Sequence, residues 1–135
     1  MVYIARALLD EMIEHAMAGR PNEACGMVAG VGDTATHVYR ATNAEASPVR
    51  YLMEPRDQLR IMQDMEEHDW DLLGIFHSHT HTAAYPSQTD VSLAYYPDAL
   101  YIIVSLADEA RPVVRAFHII DGHIHEEPIE EPPPD

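Results

Sequence analysis

The stretch that decides the fold reads Leu72-Leu73-Gly74-Ile75-Phe76-His77-Ser78-His79. Its first five residues form an apolar run that predicts a buried strand, and this strand delivers two histidines at its end. Because successive side chains of a strand point to opposite faces, His77 and His79 lie on the same face and can share one metal ion. The stretch therefore predicts a metal site at the end of a core strand.

A downstream carboxylate can complete this site. Asp90 follows a proline-containing loop and can return a carboxylate to an ion held by the two histidines. Two imidazoles and one carboxylate leave a tetrahedral zinc with one open position, which is typical of catalytic rather than structural zinc sites. We therefore predict His77, His79 and Asp90 as metal ligands and Zn²⁺ as the cofactor.

The segment around Asp90 also fits a purely structural pattern. Residues 87–90 read Ser-Gln-Thr-Asp, a capping box in which Ser87 caps a helix and Asp90 occupies its third position. That interpretation needs no metal. The two interpretations are compatible, because a helix that begins at Ser87 would hold Asp90 in its first turn, near the end of the histidine strand.

His81 offers a different third ligand. His77, His79 and His81 alternate, so a longer strand would present three histidines on one face, and a three-histidine zinc site is chemically acceptable. Residues 82–86, however, are typical of a loop and indicate that the strand has ended. His81 is therefore predicted at the rim of the site, as a substrate-binding residue.

The spacing of these residues resembles that of a known family. His77, Ser78 and His79 are followed after seven residues by Ser87, and after two more by Asp90. This is the signature of the JAMM (MPN-plus, Mov34/JAB) zinc metallopeptidases. The resemblance extends over most of the chain, from the first predicted helix to about the last strand. It implies an α/β fold: a single JAB/MPN-like (cytidine-deaminase-like) domain with a mixed β-sheet flanked by helices.

The resemblance also implies roles for individual residues. Members of the family carry an upstream glutamate, and Glu23 in the segment Pro21-Asn22-Glu23-Ala24-Cys25-Gly26 matches it. Glu23 is then the general base, and the Ser87 hydroxyl stabilises the developing oxyanion of an amide hydrolysis. The resemblance favours Asp90 over His81 as the third ligand.

The small prokaryotic members give the expected substrate. The compactness of the chain resembles that of the Mec-type hydrolases, which remove a cysteine joined to the C-terminal glycine of a ubiquitin-like sulfur-carrier protein. The implied partner is such a carrier with a Gly-Gly end, and the implied process is cysteine biosynthesis. Cleavage of another ubiquitin-like conjugate by a JAMM isopeptidase, as in deubiquitinases, is the alternative.

Two further classes of function are open on the sequence. Many relatives of this fold have lost the metal and serve as non-catalytic scaffolds, although the complete motif set argues against that class here. Others associate with DNA. The chain has 8 basic and 23 acidic residues and a net charge of −15, which argues against a nucleic-acid surface.

Length and composition predict one compact domain. The chain has 135 residues, 47% of them hydrophobic, which suffices for a single core. No apolar stretch approaches the roughly 20 residues of a membrane span, and the N-terminal residues lack the apolar core of a signal peptide. We therefore expect a cytoplasmic protein without a membrane partner. Cys25, the single cysteine, cannot form an internal disulfide and is predicted to be a buried structural residue rather than a nucleophile.

The end of the chain differs in composition from the rest. Residues 126–135 hold five acidic residues and four prolines, so we expect an extended or disordered tail that does not pack. The predicted organisation is a metallopeptidase domain, residues 1–125, followed by the acidic proline-rich tail, residues 126–135.

Periodicity and turn signals predict an alternation of helices and strands. In the second predicted helix, Leu59, Met62 and Met65 are expected to face the core. The predicted helices are 6–18, 55–68 and 87–95. The predicted strands are 27–31, 36–41, 51–53, 72–79, 100–106, 113–120 and 123–129.

Overall fold

The computed structural model of the protein describes residues 1–133, which form three helices and eight strands. The helices are α1 (Arg6–Gly19), α2 (Pro55–Glu67) and α3 (Gln88–Ser92). The strands are β1 (Val2–Tyr3), β2 (Cys25–Val31), β3 (Thr34–Ala41), β4 (Asp71–His79), β5 (Leu100–Ser105), β6 (Val113–Ile120), β7 (His123–Glu127) and β8 (Ile129–Glu130).

All eight strands belong to one mixed sheet with the order β7-β6-β5-β4-β2-β3-β1-β8. The pairs β4–β5, β1–β3 and β1–β8 are parallel, and the other neighbours are antiparallel. Only Pro128 separates β7 from β8, although these strands lie at opposite ends of the order. The sheet must therefore curl until its two edges meet at Pro128.

The two faces of the sheet bury separate hydrophobic clusters. Ile75 of β4 lies in a cluster with Ile61 and Met65 of α2, whereas the next residue, Phe76, lies in a cluster with Met12 of α1. This alternation is the two-residue period of a strand. His77 and His79 lie two and four residues after Ile75, so they lie on the same face of the sheet as Ile75, the face that α2 covers.

The central strands pass unusually close to one another at Gly26. A Cβ atom at this position would lie 2.1 Å from the carbonyl oxygen of Tyr39 and 2.4 Å from the ring of Phe76. No side chain fits such a gap, so glycine is required here. The close approach seats the start of β2 against the histidine end of β4, since Gly26 pairs with Phe76 in the register.

Several predicted elements are confirmed with small shifts of their bounds, and others are wrong. Leu59 is 61% exposed rather than buried, because Ile61 and Met65 occupy the inward stripe of α2. The predicted strand 51–53 is reduced to an isolated bridge between Asn43 and Met53. The third helix is shorter than the predicted 87–95: Ser87 is its N-cap, and α3 extends from Gln88 to Ser92.

The expectation of an unpacked tail is wrong for residues 126–130. Residues 126 and 127 belong to β7, and β8 pairs in parallel with β1, with Ile129 opposite Val2. Ile129 also packs against the cluster that contains Met12. A two-residue strand is stabilised by backbone hydrogen bonds and one apolar side chain, so an acidic, proline-rich composition does not prevent it. The division at residue 125 stays a prediction, and β8 argues for a boundary after Glu130. Pro134 and Asp135 lie outside the described residues.

No helix among residues 1–133 combines the length and the apolar character needed to cross a membrane.

Candidate active site

Strand β4 brings His77 and His79 together at its C-terminal end. Both side chains are buried, and their Nε2 atoms lie 3.2 Å apart. The strand is held on both sides, since Cys25 of β2 pairs with His77 and Ser105 of β5 pairs with His79. The two imidazoles are therefore positioned by the rigid centre of the sheet.

Asp90 reaches the histidines from the first turn of α3. Its Oδ2 atom lies 3.2 Å from His77 Nε2 and 3.0 Å from His79 Nε2. The capping box is also present: the Asp90 N–H donates to Ser87 Oγ at 3.0 Å, and the Ser87 N–H donates to Asp90 Oδ2 at 2.9 Å. The two interpretations of this segment thus hold together, because the cap orients the carboxylate that meets the histidines.

The three converging atoms suit a metal ion. Ligands of a tetrahedral zinc with bonds of about 2.0–2.1 Å lie about 3.3 Å apart, close to the spacing of His77, His79 and Asp90. Within residues 1–133 these three residues form the only cluster of three or more histidine, cysteine, aspartate or glutamate side chains with such convergence. Three protein ligands leave a position open, as in a catalytic site. His81 does not join the cluster.

Two neighbours orient the imidazole rings. The Nδ1 atom of His79 lies 2.9 Å from the carbonyl oxygen of Ala83, so an Nδ1–H donates there and leaves Nε2 free as a ligand. The ring of Tyr51 stacks on His77 with centroids 4.7 Å apart and an interplanar angle of 24°. The stack fixes the plane of His77 and shields it from water.

Glu23 lies two residues before β2, and a set of backbone contacts holds it beside the cluster. The Ala24 N–H donates to Ser78 Oγ at 2.8 Å, and the Ser78 N–H donates to the Ala24 carbonyl at 3.0 Å. On the other side, the Glu23 N–H donates to Ser47 O at 2.8 Å, and Asn43 Nδ2 donates to Glu23 O at 3.0 Å. These bonds fix the backbone of Glu23 relative to the histidine strand.

The Glu23 carboxyl is buried without full hydrogen bonding. The residue is 6% exposed, and its Oε1 atom has no hydrogen-bond partner among residues 1–133. Burial raises the pKa of Glu23 to about 7; the charge of Asp90 adds to the rise, and His79 opposes it. A carboxyl group with such a pKa can both take and release a proton at neutral pH.

The other titratable groups of the cluster are shifted in opposite directions. Burial lowers the pKa of His77. Burial also acts to lower the pKa of His79, but hydrogen bonds to Asp90 and Ala83 outweigh it and leave that pKa raised. For Asp90, burial is outweighed by hydrogen bonds from both histidines, which hold its pKa far below the usual range. The cluster therefore favours an ionised carboxylate and a neutral His77, the forms that bind metal.

An open cleft of about 170 Å³ leads to the site, and Glu23, His79 and Ser87 are part of its wall. Ser87 Oγ accepts the cap hydrogen bond, which leaves its O–H free to donate into the cleft. His81 is exposed and lines the same cleft, where it has access to a substrate. The predicted substrate-binding role of His81 stays a prediction.

Sequence reasoning missed three contributors to the site. Ser78 is part of the family motif without a predicted role of its own, yet its hydrogen bonds with Ala24 join the residue before β2 to β4. Tyr51 and Asn43 carried no signal, because they reach the site from an irregular segment distant along the chain. Cys25 lies buried in β2, and burial raises the pKa of its thiol to about 12, which suits the predicted structural role.

Comparison with known proteins gives a consistent picture. The family of prokaryotic homologs of the JAB domain matches residues 5–120. The chain is 44% identical over 131 residues to the CysO-cysteine peptidase of Mycobacterium tuberculosis, with 95% of this chain and 90% of that protein covered. It is 34% identical over 103 residues to the desampylase of Haloferax volcanii, with 71% and 74% covered.

A solved structure extends the similarity to three dimensions. The solution structure of protein DSY2949 from Desulfitobacterium hafniense superimposes with a TM-score of 0.89 at 39% identity, and the alignment covers 98% of this chain and 93% of that one. These findings confirm the predicted JAB-type fold and the predicted hydrolase class. The family match extends from residue 5 to residue 120, most of the chain, so the chain belongs to the family of prokaryotic homologs of the JAB domain, the JAMM metallopeptidases.

Proposed function

We propose that this chain is a zinc-dependent hydrolase that cleaves the amide bond after the C-terminal glycine of a ubiquitin-like sulfur-carrier protein and releases cysteine, as part of cysteine biosynthesis. One observation carries the proposal: three metal-ligand atoms converge beside a buried carboxyl group that has an unpartnered oxygen. A metal site with an adjacent base is the arrangement that amide hydrolysis by water requires.

The nature of the substrate is supported by the relatives. The mycobacterial protein is a CysO-cysteine peptidase and the haloarchaeal protein a desampylase. The alignment with the mycobacterial peptidase covers nearly all of both chains, whereas the alignment with the desampylase covers less of each. We therefore favour a carrier with a single cysteine on its C-terminal end. An isopeptide-linked conjugate of a ubiquitin-like protein is the second candidate, favoured by the desampylase.

In this mechanism Glu23 transfers a proton from the attacking water to the departing amine. Zinc held by His77, His79 and Asp90 would supply Lewis-acid chemistry, lowering the pKa of water and polarising a carbonyl oxygen. The Glu23 carboxylate takes the proton of the attacking water, and its position deep in the cleft keeps that proton from bulk solvent. Glu23 then returns the proton to the departing amine as the C–N bond breaks. No side chain forms a covalent intermediate.

Ser87 stabilises the negative charge that develops on the substrate oxygen. Its hydroxyl has a fixed acceptor role toward the Asp90 N–H, so the orientation of the O–H is restricted before substrate arrives. A preorganised donor of this kind needs little rearrangement during the reaction. The same residue therefore both caps α3 and serves the chemistry.

The narrow cleft supports a Gly-Gly end on the carrier. Only an extended backbone can bring a carbonyl to a site walled by Glu23, His79 and Ser87. We expect side chains larger than hydrogen at the last two carrier positions to cost binding energy against these walls. A carrier ending Ala-Ala-Cys should accordingly be cleaved more slowly than one ending Gly-Gly-Cys.

The decisive experiment is mass spectrometry of CysO bearing a C-terminal cysteine, incubated with the zinc-loaded protein. We expect the carrier to lose the mass of one cysteine residue while free cysteine appears in equal amount. A parallel reaction uses a conjugate of the same carrier to a lysine side chain. Faster cleavage of that conjugate would replace the first candidate by the isopeptidase. An intact mass for both, with zinc bound, would indicate a non-catalytic scaffold.

A further inference from the structure

A second recess adjoins the active-site cleft. Its volume is about 350 Å³, and it is lined by Met17, Arg20, Pro21, Thr80, His81 and Glu109. Thr80 and His81 also line the cleft that contains Glu23 and Ser87, so the two spaces meet at the residues directly after His79. Arg20 follows the C-terminal end of α1, and Glu109 lies in the loop after β5.

Arg20 gives this recess a fixed positive charge in a strongly acidic protein. The Arg20 side chain is 33% accessible, and its guanidinium group pairs with Glu109, whose side chain is 64% accessible. An ion pair this exposed contributes little to stability, and its acidic partner lies on a surface loop. Another carboxylate can therefore take the place of Glu109 on Arg20.

A separate flank of the site, next to His77, is apolar. Tyr51, which stacks on His77, also lines a cavity of about 180 Å³ with Leu52, Leu93, Tyr95 and Tyr96. Leu52, Leu93 and Tyr95 are exposed. An apolar wall of this kind suits the surface of a folded protein, whereas the recess at Arg20 is lined by charged side chains. The two flanks thus differ in the part of a substrate that each can bind.

We propose that Arg20 binds the α-carboxylate of the residue that the reaction releases, and so selects substrates in which that residue is the free C-terminus. The inference rests on the proposed hydrolysis at the metal site. The carboxyl carbon of the leaving residue lies only about 2.5 Å from the scissile nitrogen, so its carboxylate stays close to the cleft, and the recess that holds Arg20 adjoins the cleft at Thr80 and His81. The guanidinium fork matches a carboxylate with two parallel hydrogen bonds.

This selection separates the two candidate substrates. A lysine joined through its side-chain nitrogen has no carboxylate beside the scissile bond, so it would gain nothing from Arg20. A single cysteine attached through its α-nitrogen would gain a charge-assisted hydrogen bond, which corresponds to roughly 10- to 100-fold in binding.

The test compares two forms of CysO bearing a C-terminal cysteine, one with a free carboxylate and one with a carboxamide. For the wild-type protein we expect a kcat/KM about 10- to 100-fold higher on the free acid, mainly through a lower KM. Arg20→Gln should remove that preference and leave the carboxamide rate within twofold of wild type. Arg20→Lys should keep part of the preference. Arg6→Gln, which breaks an exposed ion pair with Asp10 near the start of α1, is the matched control.

A binding measurement keeps the proposal testable if cleavage fails. In the Glu23→Gln background, calorimetry should show at least tenfold tighter binding of the free acid than of the carboxamide, and Arg20→Gln should abolish the difference. If the free acid binds more tightly in this way but the wild-type protein shows no turnover, the carboxylate site is supported and the proposed hydrolysis is rejected. The role of Arg20 would be overturned if both forms bind equally tightly, or if Arg20→Gln weakens the binding of both forms by the same factor.

Discussion

The histidine end of β4 and the closing edge formed by β1 and β8 are built on opposite principles. At the histidine end, side chains determine the structure: two imidazoles and a carboxylate converge within 3.2 Å. At the closing edge, the backbone determines it: Val2 N–H donates to Pro128 O and Ile4 N–H donates to Glu130 O, each at 2.9 Å. The histidine end can be recognised in the sequence by its residue types and spacing, whereas the closing edge has almost no sequence signal.

The two regions also differ in their contribution to stability. The closing edge stabilises the fold, since it pairs backbone groups and covers Ile129. The histidine end keeps Glu23 buried with a raised pKa, which opposes folding at neutral pH unless a cation is present. We therefore expect changes at the histidine end to affect activity strongly, and changes at the closing edge to affect stability alone.

The largest effect is expected from His77→Ala. Loss of one of three ligands should abolish both zinc binding and hydrolysis, because two ligands hold zinc far more weakly than three. Metal analysis of the purified variant and the mass-spectrometric assay check this together. His125→Ala, which removes an exposed histidine from β7, is the matched control and should keep both properties. Full zinc occupancy in His77→Ala would mean that the ligand set is wrong.

Glu23→Gln should come next, with turnover lower by about 10²–10⁴ and zinc retained. Glutamine preserves the shape of the side chain but cannot accept the proton from water. Steady-state kinetics with metal analysis measure the effect, and exposed Glu67→Gln serves as the control. Near-normal turnover would assign the base to another group.

Ser87→Ala tests whether one residue serves both chemistry and helix capping. We expect turnover to fall by about 10²–10³ with zinc retained, as for the loss of an oxyanion donor. The lost cap should lower the unfolding free energy by only about 1 kcal/mol. Ser92→Ala, at the other end of α3, controls for the loss of a hydroxyl on that helix. If thermal melts show unfolding at assay temperature, capping is the dominant role.

Glu23→Gln lowers turnover, but it should raise the unfolding free energy when a chelator has removed the metal. The folded-state pKa of about 7 lies above the ordinary value of 4.5, so ionisation opposes folding as pH rises through that interval. Glutamine does not ionise. The variant should match the wild type near pH 4 and exceed it by roughly 1–3 kcal/mol near pH 8. Urea melts at both pH values measure this; a gap that does not change with pH would exclude ionisation of Glu23 as the cause.

The smallest effects are expected from two truncations at the closing edge. Removal of residues 129–135 deletes β8 and should lower the unfolding free energy by about 1–3 kcal/mol, or roughly 3–5 °C in melting temperature per kcal/mol. Removal of residues 131–135 should change it by less than about 0.5 kcal/mol. Both proteins should keep their turnover at 20 °C. Equal melting temperatures for the two truncations would show that β8 does not stabilise the sheet.

Much of the helix and strand pattern could be predicted from periodicity, because α1, β4 and β5 follow regular spacing of apolar residues. The failures have identifiable causes. Leu59 continues the apolar spacing of α2, but the rotation of the helix against the sheet turns it to solvent. Residues 126–130 were misjudged because composition says nothing about a backbone partner at the other end of the chain.

By itself the sequence predicted His77, His79 and Asp90 as the metal ligands, since strand alternation places the two histidines on one face, a helix cap holds Asp90 in a first turn, and the family resemblance favours Asp90 over His81. Only the tertiary structure decided what surrounds that set. The Tyr51–His77 stack, the Ser78–Ala24 hydrogen bonds and the recess shared by Arg20 and His81 each bring distant segments together. The curl of the sheet that joins β7 to β8 is a property of the whole fold. Such contacts depend on which faces meet, and a pattern along one strand or helix does not contain that information.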